Sequence, residues 1–184
     1  MNLPLRGDIL LEMTVIASFV VGSNGASSLN GSSQGLSTPA DRDRFLKRHQ
    51  SAAAFIIGKN SAAIESYSKS NVPIFIFTRH TAKLEVPHQM MQQIRVDRDL
   101  LEITKLIDLR IPGDIVVEAG STLLMALVEA GAIDFLELTL SPIAGDGDFI
   151  DVEELISHFE VIEEIDIDGT RLLQCRDKSY ATNG

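Results

Sequence analysis

The stretch Val116-Val117-Glu118-Ala119-Gly120-Ser121-Thr122-Leu123-Leu124 governs the reading of this chain. A β-branched apolar run ends in a carboxylate, passes through a small-residue turn and enters a helical pattern. That is a strand-to-helix corner. The first turn of a helix has backbone N–H groups without intrahelical partners, and the helix dipole adds positive potential, so such corners bind phosphate. An acid beside the cradle suggests chemistry on the bound molecule. Many strand-Gly-Ser-helix turns in α/β proteins are only turns, so the neighbouring segments have to support the reading.

Upstream, residues 12–21 are nearly all apolar or β-branched and read as a strand buried on both faces, as in a parallel sheet. Residues 22–38 hold four Gly, six Ser and two Asn. The composition is that of a linker, but the segment is embedded in the domain, which favours a functional loop. Thr38-Pro39-Ala40-Asp41 is a helix start, with Thr as N-cap and Pro at the first helical position; the helix runs to about residue 51. Residues 53–57, 74–78 and 115–118 read as further strands. Helical turns are expected near 60–66, 98–109 and 122–130, the last closed by Gly131. Phe135 to Leu140 alternates as a strand. Phe159–Ile167, the turn Asp168-Gly169 and Thr170–Arg176 read as a β-hairpin. The expected architecture is a single α/β domain over residues 1–184, with a mostly parallel central sheet flanked by helices and an antiparallel C-terminal hairpin.

The chain of 184 residues is 45% apolar and 23% charged, ordinary for a globular domain. Its net charge of −10 is uneven: residues 1–60 carry a net +2, and residues 151–168 contain eight acids and no Lys or Arg. Such a surface repels nucleic acid and anionic membranes, while a small polyanion can still bind where the basic residues gather. No apolar run approaches the ~20 residues of a membrane span, and residues 9–21, interrupted by Glu12, make a poor leader and a good strand. The single cysteine, Cys175, lies in an apolar strand-like run; it fits a buried thiol in a reducing compartment, so a cytoplasmic protein is expected.

Several motifs are excluded. The chain has no G-x-G-x-x-G after the first strand and no P-loop. Gly145-Asp146-Gly147-Asp148 and Asp166-Ile167-Asp168-Gly169 lack the EF-hand register and read as turns. The four histidines are dispersed, and no metal site is expected.

With the elements placed, four blocks in order resemble the pyrimidine reductases of riboflavin biosynthesis (the RibD C-terminal family), whose fold is dihydrofolate reductase-like. The blocks are Gly22-Ser23-Asn24-Gly25; Ser33 to Arg42, with Phe45; Ile56-Ile57-Gly58-Lys59-Asn60-Ser61, with Glu65 and Tyr67; and Glu118-Ala119-Gly120, with Gly131 to Pro142 and Gly145. The match spans about residues 14–176. The resemblance implies an NADPH-dependent reductase, commonly a homodimer, that reduces the ribose of a pyrimidine ribosylamine 5′-phosphate to a ribityl chain. It implies cofactor contacts at Val21, Gly35, Ser61, Glu65, Gly120, Ser121, Thr122, Leu123 and Leu124. Ser33 and Glu118 would face the substrate, with Arg48 and His49 as its further contacts and Glu118 and Asn24 as catalytic candidates. A fixed carboxylate at Glu118 would stabilise a cationic imine carbon during hydride transfer; its alternative is an acid steadying the helix dipole.

The chain departs from the family on the substrate side. Asn24 replaces an Asp and Ser18 a Lys. His49 replaces an Arg, with Arg48 one residue away, and the Arg of a substrate-binding stretch is absent at Val72. The segment between Thr78 and Ile115 looks short of one strand-helix unit. Two other readings stay open: a reductase of the same fold with a different small substrate, and an inactive nucleotide-binding protein.

Overall fold

The computed structural model describes residues 14–63, 67, 70–79, 90–96, 99–108 and 111–180. Among the described residues, eight strands form one sheet: β1 (Val15–Val21), β3 (Ala54–Gly58), β4 (Ile74–Thr78), β5 (Met91–Arg95), β6 (Ile115–Glu118), β7 (Phe135–Leu140), β9 (Phe159–Ile167) and β10 (Thr170–Asp177). Their order is β5-β4-β3-β6-β1-β7-β10-β9. Neighbours from β5 to β7 pair in parallel; β10 runs against both β7 and β9. This is the mostly parallel sheet with an antiparallel end that the sequence pattern calls for. Two short strands, β2 (Ala26–Ser28) and β8 (Gly147–Phe149), make a separate antiparallel pair.

The helices are α1 (Pro39–Ser51), α2 (Leu100–Asp108), α3 (Ser121–Glu129) and α4 (Val152–Ser157). Thr38 caps α1 by accepting from Asp41 N at 3.3 Å, with Pro39 at the first helical position. Gly131 follows α3 with φ +66°, a left-handed conformation suited to glycine. Asp168 and Gly169 both have positive φ, as a type I′ hairpin turn needs.

Alternation along the strands separates two cores. Val15, Ala17, Ile115, Val117, Leu136 and Leu138 pack on one face with Leu124, Leu127 and Val128 of α3, Ile107 of α2 and Leu155 of α4. Phe55, Ile57, Ile74, Ile76 and Val116 pack on the other with Tyr67 and Met91. Helix α1 covers this second face and contributes no fully buried residue. It is held by polar contacts: Arg44 donates to Thr139 Oγ1 (2.7 Å) and Leu173 O (3.0 Å), and Arg48 pairs with Glu137.

Connections run leftward from β1 through α1 to β3, and rightward from β6 through α3 to β7, on opposite faces. The chain therefore changes direction at the carboxyl ends of β1 and β6, where ligands settle in open α/β sheets.

The structure revises four local expectations. The segment between Thr78 and Ile115 contains the missing strand, β5, as well as α2. The Gly/Ser stretch 22–38 is an ordered arm carrying β2 and a 3-10 turn, Ser33–Leu36, rather than a plain loop. The Gly145-to-Asp148 turn continues into β8. Helix α4 fills what read as featureless acidic sequence. The start of the first strand, at residues 12–13, and the end of the turn near 60–66 lie outside the described residues. Cys175 is fully buried, and burial pushes its thiol up to about 11. Among the described residues no helix is long and apolar enough to cross a membrane.

Candidate functional site

Glu118 is the last residue of β6, on the α1 face of the sheet. The strand registers place it in one row with Ile57 on β3, Ser18 on β1, Glu137 on β7 and Gln174 on β10. Two carboxylates thus flank Ser18, one on each neighbouring strand. Helix α1 answers both from consecutive residues. Arg48 binds Glu137 through Nε (3.1 Å) and Nη2, with Asp114 at 3.6 Å. His49 points at Glu118, its Nε2 3.9 Å from Oε1.

Glu118 has a third neighbour. Tyr67, 5% exposed, donates its hydroxyl to Glu118 Oε2. The His49 ring stacks on Phe55 with centroids 4.3 Å apart, and Phe45 and Tyr67 complete an aromatic wall at 5.4 and 6.2 Å. In this enclosure burial pushes the Glu118 carboxyl up to about 7, against the opposing pull of the Tyr67 hydrogen bond and the Arg42 charge. Burial and Arg42 lower His49, and burial beside Glu118 raises the Tyr67 phenol well above its usual range. The group of three is therefore a carboxyl close to half-protonated at neutral pH, a neutral imidazole and a neutral phenol.

The sequence readings of Glu118 and His49 meet in this geometry. Arg48 does not: its guanidinium belongs to Glu137, one strand beyond Ser18, and is not turned to Glu118. Tyr67 was quoted in the resemblance without a role. The signal was present as a lone aromatic among polar residues, Ser66-Tyr67-Ser68-Lys69-Ser70-Asn71. It is needed there as apolar cover for Phe55 and as a donor to a buried acid.

Immediately after Glu118, Gly120 caps α3 with no side-chain hydrogen bond. Its backbone is extended (φ −67°, ψ 165°), open to any residue, and a Cβ on it would meet no atom of the described residues within 4 Å. Packing among the described residues therefore does not require glycine here. Leu124 N already donates to Gly120 O, which leaves the Ser121, Thr122 and Leu123 amides as the open part of the corner. The Leu124 side chain is 1% exposed and the Val21 side chain fully buried. Any contact of these two residues with a cofactor would therefore come from the backbone; Val21 O accepts from Ser141 N. Ser121 and Thr122 also border an open 240 Å³ depression lined by Met125, Phe149, Ile150, Asp151 and Glu154.

Asn24 bridges the arm to the loop after β7. Its Nδ2 donates to Gly145 O (2.9 Å), and its Oδ1 accepts from Gly145 N (3.0 Å). Both polar atoms hold backbone, which makes Asn24 a clamp between the arm and this loop. Ser33 and Gly35 lie in the 3-10 turn of the same arm. A Cβ on Gly35 would come within 2.9 Å of Leu29 Cβ, so close packing accounts for this glycine. Ser61 opens a 3-10 turn after β3, and Glu65 lies outside the described residues. Lys59 follows β3 and Arg79 follows β4, both exposed at the carboxyl edge of the sheet.

No family model matches the chain, and no curated protein sequence matches it. Solved structures do. A putative riboflavin biosynthesis protein from Shewanella sp. PV-4 superposes with a TM-score of 0.67 at 17% identity, over 90% of this chain and 99% of that one. A diaminohydroxyphosphoribosylaminopyrimidine deaminase/5-amino-6-(5-phosphoribosylamino)uracil reductase from Thermotoga maritima gives 0.65 at 14% identity; this chain, covered over 89%, spans 56% of its length. Dihydrofolate reductase from Enterococcus faecalis, complexed with NADP(H), gives 0.66 at 15% identity, over 90% of this chain and 96% of that one. The fold is dihydrofolate reductase-like, and the structure resembles those of riboflavin-biosynthesis pyrimidine reductase-like proteins.

Proposed function

We propose that the chain is a nicotinamide-dependent reductase of a small substrate, with a pyrimidine ribosylamine 5′-phosphate, reduced to its ribityl product, as the first candidate. The observation that carries this reading is the adjacency of Glu118 and Gly120: a buried acid and an open, uncapped helix N-terminus two residues apart at the switch point of the sheet. Gly120 suits a phosphate, because no atom of the described residues occupies the space a Cβ would fill and the amides of residues 121–123 open the helix beside it. The dinucleotide's phosphates would rest on this corner, with Ser61 and the Ser33–Leu36 turn as its further contacts. Lys59 and Arg79 are the cations placed to select NADPH over NADH. A reduced nicotinamide would supply a hydride there.

In its ionised form Glu118 would stabilise positive charge at the substrate carbon, inside an enclosure where burial strengthens the interaction. A second reading keeps the cofactor and changes the substrate. Arg48 is committed to Glu137, and Val72 stands where the family has an Arg, so two cations that would hold a 5′-phosphate are not on offer. An imine or carbonyl compound without a phosphate fits that site better.

Titration of NADPH into the purified chain, followed by cofactor fluorescence, tests the shared part. Saturation at micromolar cofactor supports a reductase; turnover with the ribosylamine phosphate then separates the two substrates. No binding at millimolar cofactor would move the chain to the inactive nucleotide-binding class or outside nucleotide binding altogether.

A further inference from the structure

We propose that Glu118, Tyr67 and His49 form a proton relay: Glu118 carries the proton that accompanies reduction, Tyr67 fixes which oxygen carries it, and His49 resupplies it from a solvent-open pocket that its ring lines. The proposal rests on the reductase reading and adds the residues that handle the proton.

Reduction of a C=N bond requires two additions. The carbon gains a hydride with its electron pair, which a reduced nicotinamide supplies and is thereby oxidised. The nitrogen gains a proton, and the product is CH–NH. The protein has to hold a proton at a defined atom, out of bulk water, and replace it after each turnover.

The geometry divides these tasks. Tyr67 donates to Glu118 Oε2, so that oxygen is occupied as an acceptor and the carboxyl proton belongs on Oε1. Oε1 is the oxygen facing His49 Nε2, at 3.9 Å, a gap that a small ring shift or one water closes. His49 also lines a half-open 370 Å³ pocket with Gln50, Ala52, Phe55, Ser70, Asn71 and Val72. At ~30 Å³ per water such a space holds a chain of solvent molecules, and its amide and hydroxyl walls offer them partners. The imidazole therefore touches both an enclosed carboxyl and a pocket open to solvent.

The charged groups around Glu118 do not short-circuit this path. From α1 it is faced by His49 and the Arg42 charge, and from the segment after β3 by Tyr67. Its row neighbours on β3 and β1, Ile57 and Ser18, do not titrate, and Glu137 beyond Ser18 is held by Arg48. Burial keeps the Glu118 carboxyl near 7 and His49 low, so at neutral pH the acid is protonated in about half of the molecules and the neutral imidazole is free to take a proton from solvent and pass it on.

The first test needs neither cofactor nor substrate. In the full chain with 13C-labelled glutamate, the Glu118 carboxyl, assigned through E118Q, is expected to titrate near pH 7. Y67F should raise that midpoint by at least half a pH unit, because it removes a donor to the charged form. A wild-type midpoint in the ordinary carboxylate range overturns the proposal, and an unmoved midpoint in Y67F removes Tyr67 from it. The second test is turnover. E118Q should bind NADPH as the wild type does and reduce substrate ~10²-fold more slowly. His49→Ala should slow turnover at least tenfold, and added imidazole, which fits the cavity, should restore it; H49Q serves if the alanine variant does not fold. Undiminished turnover in both His49 variants removes the relay's outer step. If NADPH does not bind at all, the reductase reading fails, and a titrating, Tyr67-dependent Glu118 still stands as measured.

Discussion

Asn24 spends its amide on the backbone of Gly145, donating at one end and accepting at the other. An aspartate has no donor for Gly145 O and would set a charged oxygen against a carbonyl. N24D is therefore expected to cost about 1–3 kcal/mol in denaturant unfolding, with N24S between it and the wild type. Glu118 makes the opposite kind of residue-scale case, a group kept at a cost to stability. The folded chain holds its proton up to about pH 7, whereas a glutamate in the unfolded chain releases it at about 4.5. Between those values the folded state binds more protons than the unfolded one, so stability falls as pH rises and the loss is complete above pH 7. The size is about 3 kcal/mol by linkage. E118Q carries no such penalty. Its stability should lie close to wild type at pH 4 and exceed it by up to about 3 kcal/mol at pH 8, measured as the pH dependence of the unfolding midpoint.

At the scale of elements, α1 is a helix attached to its sheet by polar contacts. Asp41, Arg44 and Arg48 recur at helical spacing and meet Thr139 and Glu137. Glu137 is 6% exposed, and its Oε2 has no hydrogen-bond partner. R48M should leave an unpaired buried carboxylate and destabilise the fold by about 3 kcal/mol, while R48M combined with E137M should recover most of that loss. A double-mutant cycle on thermal unfolding measures both. This interface was not legible in the sequence. Thr38-Pro39 announced the helix, and Phe135 to Leu140 announced an alternating strand, but alternation alone puts Glu137 and Thr139 on a solvent face. They are buried because a charged helix covers them. β2 and β8 escaped for another reason: three-residue strands of Ala, Ser, Gly, Asp and Phe carry no period, and they exist because Asn24 and close approaches at Gly22 and Gly145 pin the arm to the loop. β5 was hidden by composition, Met91-Gln-Gln-Ile-Arg95, which an edge strand tolerates. The parallel strands, the caps of α1 and α3 and the C-terminal hairpin were legible, as was the corner at Glu118 to Thr122, because each rests on local pattern. Tyr67's bond to Glu118 joins residues 51 positions apart and has no local signature.

At the scale of the whole molecule, the sheet ends on β9, a nine-residue edge strand exposed at every position after Phe159. Val161, Ile162, Ile165 and Ile167 are 41–44% exposed there, an apolar load that monomers seldom leave uncovered on one edge. Glu160, Glu163, Glu164 and Asp166 share the strand, and two such strands side by side would oppose like charges. A second copy of the chain would therefore cover the face of the hairpin instead of extending its edge. Ile165 pairs with Leu172, and Ile167 with Thr170, which puts both isoleucines on the α1 side of the sheet in continuity with Leu172 and Thr139. We propose a homodimer closed over this face, by a two-fold arrangement in which the same patch serves both copies. Sedimentation of the purified chain should then give a dimer at micromolar concentration, and the double substitution I165K with I167K should give a folded monomer, since lysine on an exposed strand face leaves the hairpin turn and the core side of β10 untouched. A wild-type chain that sediments as a monomer down to the same concentrations would assign the four apolar residues to the hairpin's own cross-strand pairing and leave the face to solvent.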